Sequence, residues 1–109
     1  DQAFAPLGVV RLFDVPEQHT DGARVTGYGV DRPFFWIAEQ NATTGILHIA
    51  LQANSRVDVD AFHAAALRAG GIDNGPPGVR PHYHADYYGA FVLDPDGHNI
   101  EAVCHLKPA

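Results

Sequence analysis

Methionine is absent from the 109 residues, and cysteine occurs once, as Cys104. One thiol excludes an internal disulfide framework and a cysteine-based zinc ribbon. It fits a reducing cytoplasm, where we expect the protein. Basic residues are also scarce: 7 Lys and Arg stand against 13 Asp and Glu, a formal net charge of −6. Nucleic-acid binding draws most of its affinity from clustered cations, so a phosphate-backbone partner is not expected. No apolar run approaches the roughly 20 residues that a bilayer-crossing helix needs, and no signal-peptide pattern opens the chain. Membrane partners are therefore not expected either.

What remains is ordinary for a globular domain: 46% apolar and 18% charged residues. The length predicts one domain whose core needs no metal or disulfide staple. Histidine is the exception. Its 7 copies raise the expectation of metal binding or acid–base chemistry.

The opening Asp1–Gly8 reads as the last turns of a helix stopped by Pro6 and Gly8. With methionine lacking, this predicts an upstream strand outside the chain; initiator excision before a short N-terminal helix is the alternative. Strands are predicted at Val9–Val15, Arg24–Val30 and Phe34–Ala38, with polar turns at Glu17–Gly22 and Gln40–Gly45. They form a three-stranded meander.

A fourth strand follows at Leu47–Gln52, alternating with period 2. Ser55 then caps a helix, and Val59, Phe62, Ala66 and Ala69 form its apolar stripe until Gly70-Gly71 ends it. Glycine and proline clusters predict a loop over Asp73–Pro81. His82–Leu93 reads as a long strand or strand pair, Asp94-Pro95-Asp96-Gly97 as a β-turn, and Asn99–Cys104 as the closing strand. Strand, helix and further strands mirror the helix end and meander of the first part. The fold class is α+β.

Gly45-Ile46-Leu47-His48-Ile49-Ala50-Leu51, the helix ending in Gly70-Gly71, and Tyr88-Gly89-Ala90-Phe91-Val92-Leu93-Asp94-Pro95-Asp96-Gly97-His98-Asn99-Ile100-Glu101 together carry a resemblance. They look like the second module of the vicinal oxygen chelate superfamily, which includes glyoxalase I, bleomycin-resistance proteins and extradiol dioxygenases. The resemblance covers residues 45–104 well and the earlier residues more loosely. It implies paired βαβββ modules, 1–44 lacking its first strand and 45–109 complete, with curled mixed sheets around a cavity. It also implies a divalent metal on strand-borne His and Glu ligands, and association as a homodimer.

The positions matching those ligands are His48 and Glu101. Of the remaining family ligands, one belongs to the absent first strand. The other belongs to the strand Phe34–Ala38, where an aromatic takes its place and Glu39 stands only at the end. The residues themselves are compatible with this reading. His48 shares a strand face with Ala50 and Gln52, and Glu101 with Asn99 and Val103. A carboxylate in such a strand is costly to bury unless paired or coordinated. Imidazole with carboxylate suits Zn, Fe, Ni or Mn. The plainer alternatives are a satisfied core histidine and a solvated glutamate.

His82, Tyr83, His84, Tyr87 and Tyr88 form a polar-aromatic patch. His84 and Tyr87 join Glu101 as candidate catalytic residues, while Tyr83, Tyr88, Phe35 and Trp36 are candidate cavity walls. Packing of a loop explains the patch equally well. His19, His63, His98 and His105 read as solvated bystanders and Cys104 as a buried structural thiol. Two functions follow for a small-molecule partner. One is a metal-dependent enzyme of lyase, isomerase or dioxygenase type acting on vicinal oxygens. The other is a non-catalytic binding protein of the bleomycin-resistance type, whose aromatic cavity and acidic balance favour a cationic ligand.

Overall fold

The structure, a computed structural model, describes residues 1–16, 24–38 and 45–108. The expected turn at Glu17–Gly22, and that at Gln40–Gly45 except for Gly45, lie outside them, as do His19 and Glu39.

A single 3-10 turn, Ala5–Leu7, opens the fold and is closed by Gly8 at φ +75°, a left-handed value that glycine adopts without strain. Strands β1 (Val10–Val15), β2 (Val25–Gly29) and β3 (Pro33–Ala38) then form the expected antiparallel meander. The second sheet contains β4 (His48–Gln52), β5 (Ile72–Val79), β6 (Tyr88–Leu93) and β7 (Asn99–Cys104) in the order β4-β7-β6-β5. β4 and β7 are parallel, so the crossover between them carries helix α1 (Arg56–Arg68). The second half is thus one βαβββ unit. The sheets do not close into a barrel, and the molecule measures 47 × 31 × 24 Å.

Ser55 caps α1 as expected, its hydroxyl accepting the Asp58 N–H at 3.1 Å. Val59, Phe62 and Ala66 bury the helix against Ala90, Val92, Ala102 and Cys104. These four strand positions share one sheet face by the period of 2. Glu101 and Phe91 therefore point to the other face, away from the helix. Phe4, just before the 3-10 turn, packs on the first sheet, making edge-to-face contacts with Tyr28 and Phe35 at 5.6 Å each.

Two expectations fail between the helix and β6. Asp73–Pro81 is not a loop, since β5 spans most of it. This strand is at the sheet edge and is interrupted by register shifts at Asp73/Gly75 and Gly75/Gly78, which is where Pro76 and Pro77 can be tolerated. Conversely, the strand expected from His82 begins only at Tyr88. Arg80 donates its N–H to the Tyr87 carbonyl, and Tyr83 donates to that of Arg80, so the intervening chain closes as a turn.

His63 also departs from expectation. It is buried at 9% exposure, and its Nε2 lies 2.9 Å from Asp73 Oδ1, tying α1 to the irregular strand. The same carboxylate oxygen accepts the Gly75 N–H at 3.0 Å. That bond first, and His63 second, hold the Asp73 carboxyl below the ordinary carboxylate value. The folded chain favours the ionised form, so this stabilisation is present above the unfolded pKa of about 4. It is lost as pH falls through the lower folded value. We expect Asp73→Asn to lower the urea midpoint at pH 6, with the gap to wild type shrinking below about pH 4. An equal gap at pH 6 and pH 3 would contradict this.

Candidate active site

The second sheet's face away from α1 holds one buried charge-bearing side chain. Glu101 is only 1% exposed although its neighbours in β7 are apolar. It does not stand alone. His48 Nε2, on β4, lies 2.8 Å from Glu101 Oε1, across a sequence separation of 53 residues. The parallel register sets this meeting: Ala50 is directly opposite Glu101, and His48 sits two positions earlier on the same face. Ala50 is too small to block the reach of the imidazole. Glu101 forms the floor and His48, with 52% of its side chain exposed, the rim.

The second carboxylate oxygen, Oε2, accepts a hydrogen bond from the Tyr87 hydroxyl. Burial, and next this bond and the adjacent carboxylate charge, push the Tyr87 pKa above the ordinary tyrosine value. The phenol is therefore held as a proton donor. Gly89 makes this possible. A Cβ there would come within 3.1 Å of both Glu101 Oε2 and the Tyr87 ring. Sequence reasoning missed Gly89; a glycine inside an otherwise apolar strand was the available signal.

Of the residues singled out by sequence, three thus converge: His48, Glu101 and Tyr87. Tyr83 stacks obliquely on Tyr87 at 4.7 Å and borders them. His84 touches the trio only through the Tyr87 ring and hydrogen-bonds elsewhere. Its Nδ1 accepts the Asp86 N–H, its Nε2 lies 2.9 Å from His105 Nδ1, and both imidazoles pack against the Tyr87 ring at 5.4 Å. His105 is consequently no bystander. Nor is His98, whose Nδ1 accepts the Leu47 N–H and so secures the start of β4.

The other cavity-wall candidates lie elsewhere. Tyr88 faces the helix, donating its hydroxyl to Asp60 at 2.6 Å beneath the Arg56 guanidinium. The bond to Asp60, then burial, raises its pKa. Phe35 and Trp36 line a separate cavity of about 530 Å³ that extends to Phe62, Ile100 and the β6–β7 turn. They are displaced from Glu101 because they belong to the first sheet, which the sequence could not orient relative to the second.

An imidazole nitrogen and a carboxylate that meet at a buried point suit a divalent metal by donor type. Two donor atoms each about 2.0–2.2 Å from a shared ion stand about 3–3.5 Å apart, so at 2.8 Å the pair as it stands is hydrogen-bonded. A few tenths of an ångström of opening would admit an ion at about 2.0–2.2 Å from each. A second donor group, Asp94, Asp96 and His98, gathers at the β6–β7 turn. There Asp94 Oδ1 is already occupied by the Asp96 and His98 N–H groups.

Comparison with known proteins agrees with this architecture. A glyoxalase/bleomycin resistance protein from Albidiferax ferrireducens T118 is 30% identical, with 95% of this chain and 82% of that one covered and a TM-score of 0.69. The fosfomycin resistance protein FosX from Listeria monocytogenes shares the fold at 15% identity, covering 91% and 76% of the two chains with a TM-score of 0.62. A glyoxalase I mutant from Zea mays does so at 19% identity and a TM-score of 0.61; 94% of this chain covers 38% of that longer one. No curated protein matches. Residues 3–102 match the profile of one family, and the chain belongs to it: the glyoxalase/bleomycin resistance protein/dioxygenase superfamily.

Proposed function

We propose that the protein is a glyoxalase-like, metal-dependent enzyme acting on a small substrate through vicinal oxygens. The observation that carries this reading is the contact of His48 with the fully buried Glu101 on the face turned away from the helix. Burying a carboxylate costs several kcal/mol of desolvation, on the order of what one ion pair returns, so stability alone is a poor reason for it. His48 and Glu101 would hold the ion. When bound, it supplies Lewis-acid polarisation of the substrate oxygens.

The chain's own groups move the proton. The Tyr87 hydroxyl donates to Glu101 Oε2, and a substrate oxygen entering beside them would compete for the Tyr87 donor. The carboxylate thereby becomes free to accept a proton from substrate. His84 is a positioning residue, backing the Tyr87 ring together with His105. Purification without chelator is expected to yield close to one equivalent of a divalent transition metal per chain by elemental analysis. A chain that stays metal-free after incubation with Zn, Mn, Ni and Fe(II) salts favours the non-catalytic binding protein instead. The exposed Tyr83, stacked on His82 at 4.1 Å, supports that second reading as a ligand platform.

The same proposal includes a homodimer in the cytoplasm. Phe13 and Trp36 meet edge-to-face at 6.4 Å on the first sheet while each remains about half exposed, and Val10 and Phe34 are similarly uncovered. Apolar surface of this kind favours association. Light scattering after size exclusion should give twice the monomer mass; a monomer at micromolar concentration would count against it. The buried, unpaired Cys104 supports the reducing compartment.

A further inference from the structure

We propose that Arg80 is the anion-binding residue of the His48–Glu101–Tyr87 site, and that the substrate therefore carries a carboxylate or phosphate-type group besides its vicinal oxygens. This rests on the active-site reading above and adds a substrate class to it.

Arg80 lies at the end of β5 with its guanidinium carbon 5.4 Å from the centroid of the Phe91 ring. Phe91 is the direct cross-strand partner of Glu101, and its ring is tilted against the His48 imidazole at 6.0 Å. The guanidinium is thus one phenyl ring away from the proposed metal ligands, on the same sheet face.

The glycines of β5 create this placement. A Cβ at Gly75 would lie 2.9 Å from the Phe91 ring and 3.2 Å from one terminal nitrogen of Arg80. At Gly78 it would lie 3.1 Å from the other. Gly75 has φ +150°, a value that L side chains rarely adopt. The run Asp73-Asn74-Gly75-Pro76-Pro77-Gly78 therefore serves as a bare shelf across which the arginine folds back onto Phe91.

The guanidinium is held but not neutralised. One N–H donates to the Pro76 carbonyl at 2.7 Å, and the Arg80 backbone N–H is fixed on Tyr87. Among the described residues no carboxylate pairs with it. A guanidinium has five donors, and its planar fork matches two oxygens of a carboxylate or phosphate. In a chain of net charge −6, an unpaired cation immobilised beside the site is a local reversal of sign. It selects an anionic ligand, where the overall charge alone had suggested a cationic one.

The test is titration of the 15N-labelled chain with inorganic phosphate, followed by NMR. The Arg80 Nε–H resonance and the Gly75, Tyr87 and Phe91 amides should shift saturably. Arg80→Gln should weaken phosphate binding at least tenfold, and Arg80→Lys, which keeps the charge but loses the planar fork, should fall between Arg80→Gln and wild type. Zinc affinity, measured separately by calorimetry, should be unchanged in Arg80→Gln. Absence of a saturable shift at Arg80 in the wild type, or equal phosphate affinity in Arg80→Gln, overturns the proposal. Failure of zinc to bind the wild type counts against the metal reading alone, because the phosphate response of Arg80 is read without it.

Discussion

Replacing Glu101 by glutamine is expected to lower divalent-metal affinity by about 100-fold or more while leaving the fold intact. Loss of groups that only orient metal ligands costs about 10–100-fold, and Glu101 is proposed as a ligand itself. The amide occupies the same volume and can still accept the Tyr87 hydroxyl proton. Glu101→Ala removes that acceptor and empties a fully buried position, leaving a cavity at the floor of the site and the half-buried Tyr87 hydroxyl without its partner. The comparison therefore separates chemistry from stability: both variants should lose metal, but only the alanine variant should lose several degrees in Tm. Calorimetric titration with zinc and thermal unfolding by circular dichroism give the two readings. Metal affinity within a factor of three of wild type in Glu101→Gln would remove Glu101 from the site.

The largest loss of stability should come from Phe62→Ala. Phe62 is fully buried on α1, in the same cluster as Val59, Ala90, Val92 and Ala102, and it also walls the 530 Å³ cavity. Truncation deletes a ring's worth of contacts and enlarges that cavity. Changes of this kind cost about 3–5 kcal/mol, against a total stability of about 5–15 kcal/mol for a domain. A fall in Tm on the order of 15 °C is expected. A fall of less than about 5 °C would mean that the neighbouring apolar side chains collapse into the space.

Both predictions rest on features that local pattern made legible. Alternation in His48–Gln52 and Asn99–Cys104 placed His48 and Glu101 on defined strand faces, and the Ser55 cap with the Val59–Phe62–Ala66 stripe located α1. The strand β5 was hidden because proline and glycine ordinarily mark loops, whereas at an edge interrupted by register shifts they are accommodated. Contacts between elements were hidden for a different reason. His63 with Asp73, His84 with His105, and Arg80 with Phe91 depend on where strands and loops come to lie in space. No periodicity within one segment encodes that. Tyr88 illustrates the limit: beside Tyr87 in sequence, it points to the opposite sheet face, and only its register with Cys104 shows which of the two meets Glu101.

Anomalous diffraction from crystals grown with manganese or zinc locates a bound transition metal directly. A metal held by the His48–Glu101 pair gives a single strong peak at about 2.0–2.2 Å from both His48 Nε2 and a Glu101 carboxylate oxygen, with the two side chains slightly parted. A peak at Asp94, Asp96 and His98, with His48 and Glu101 still hydrogen-bonded to each other, would contradict that assignment.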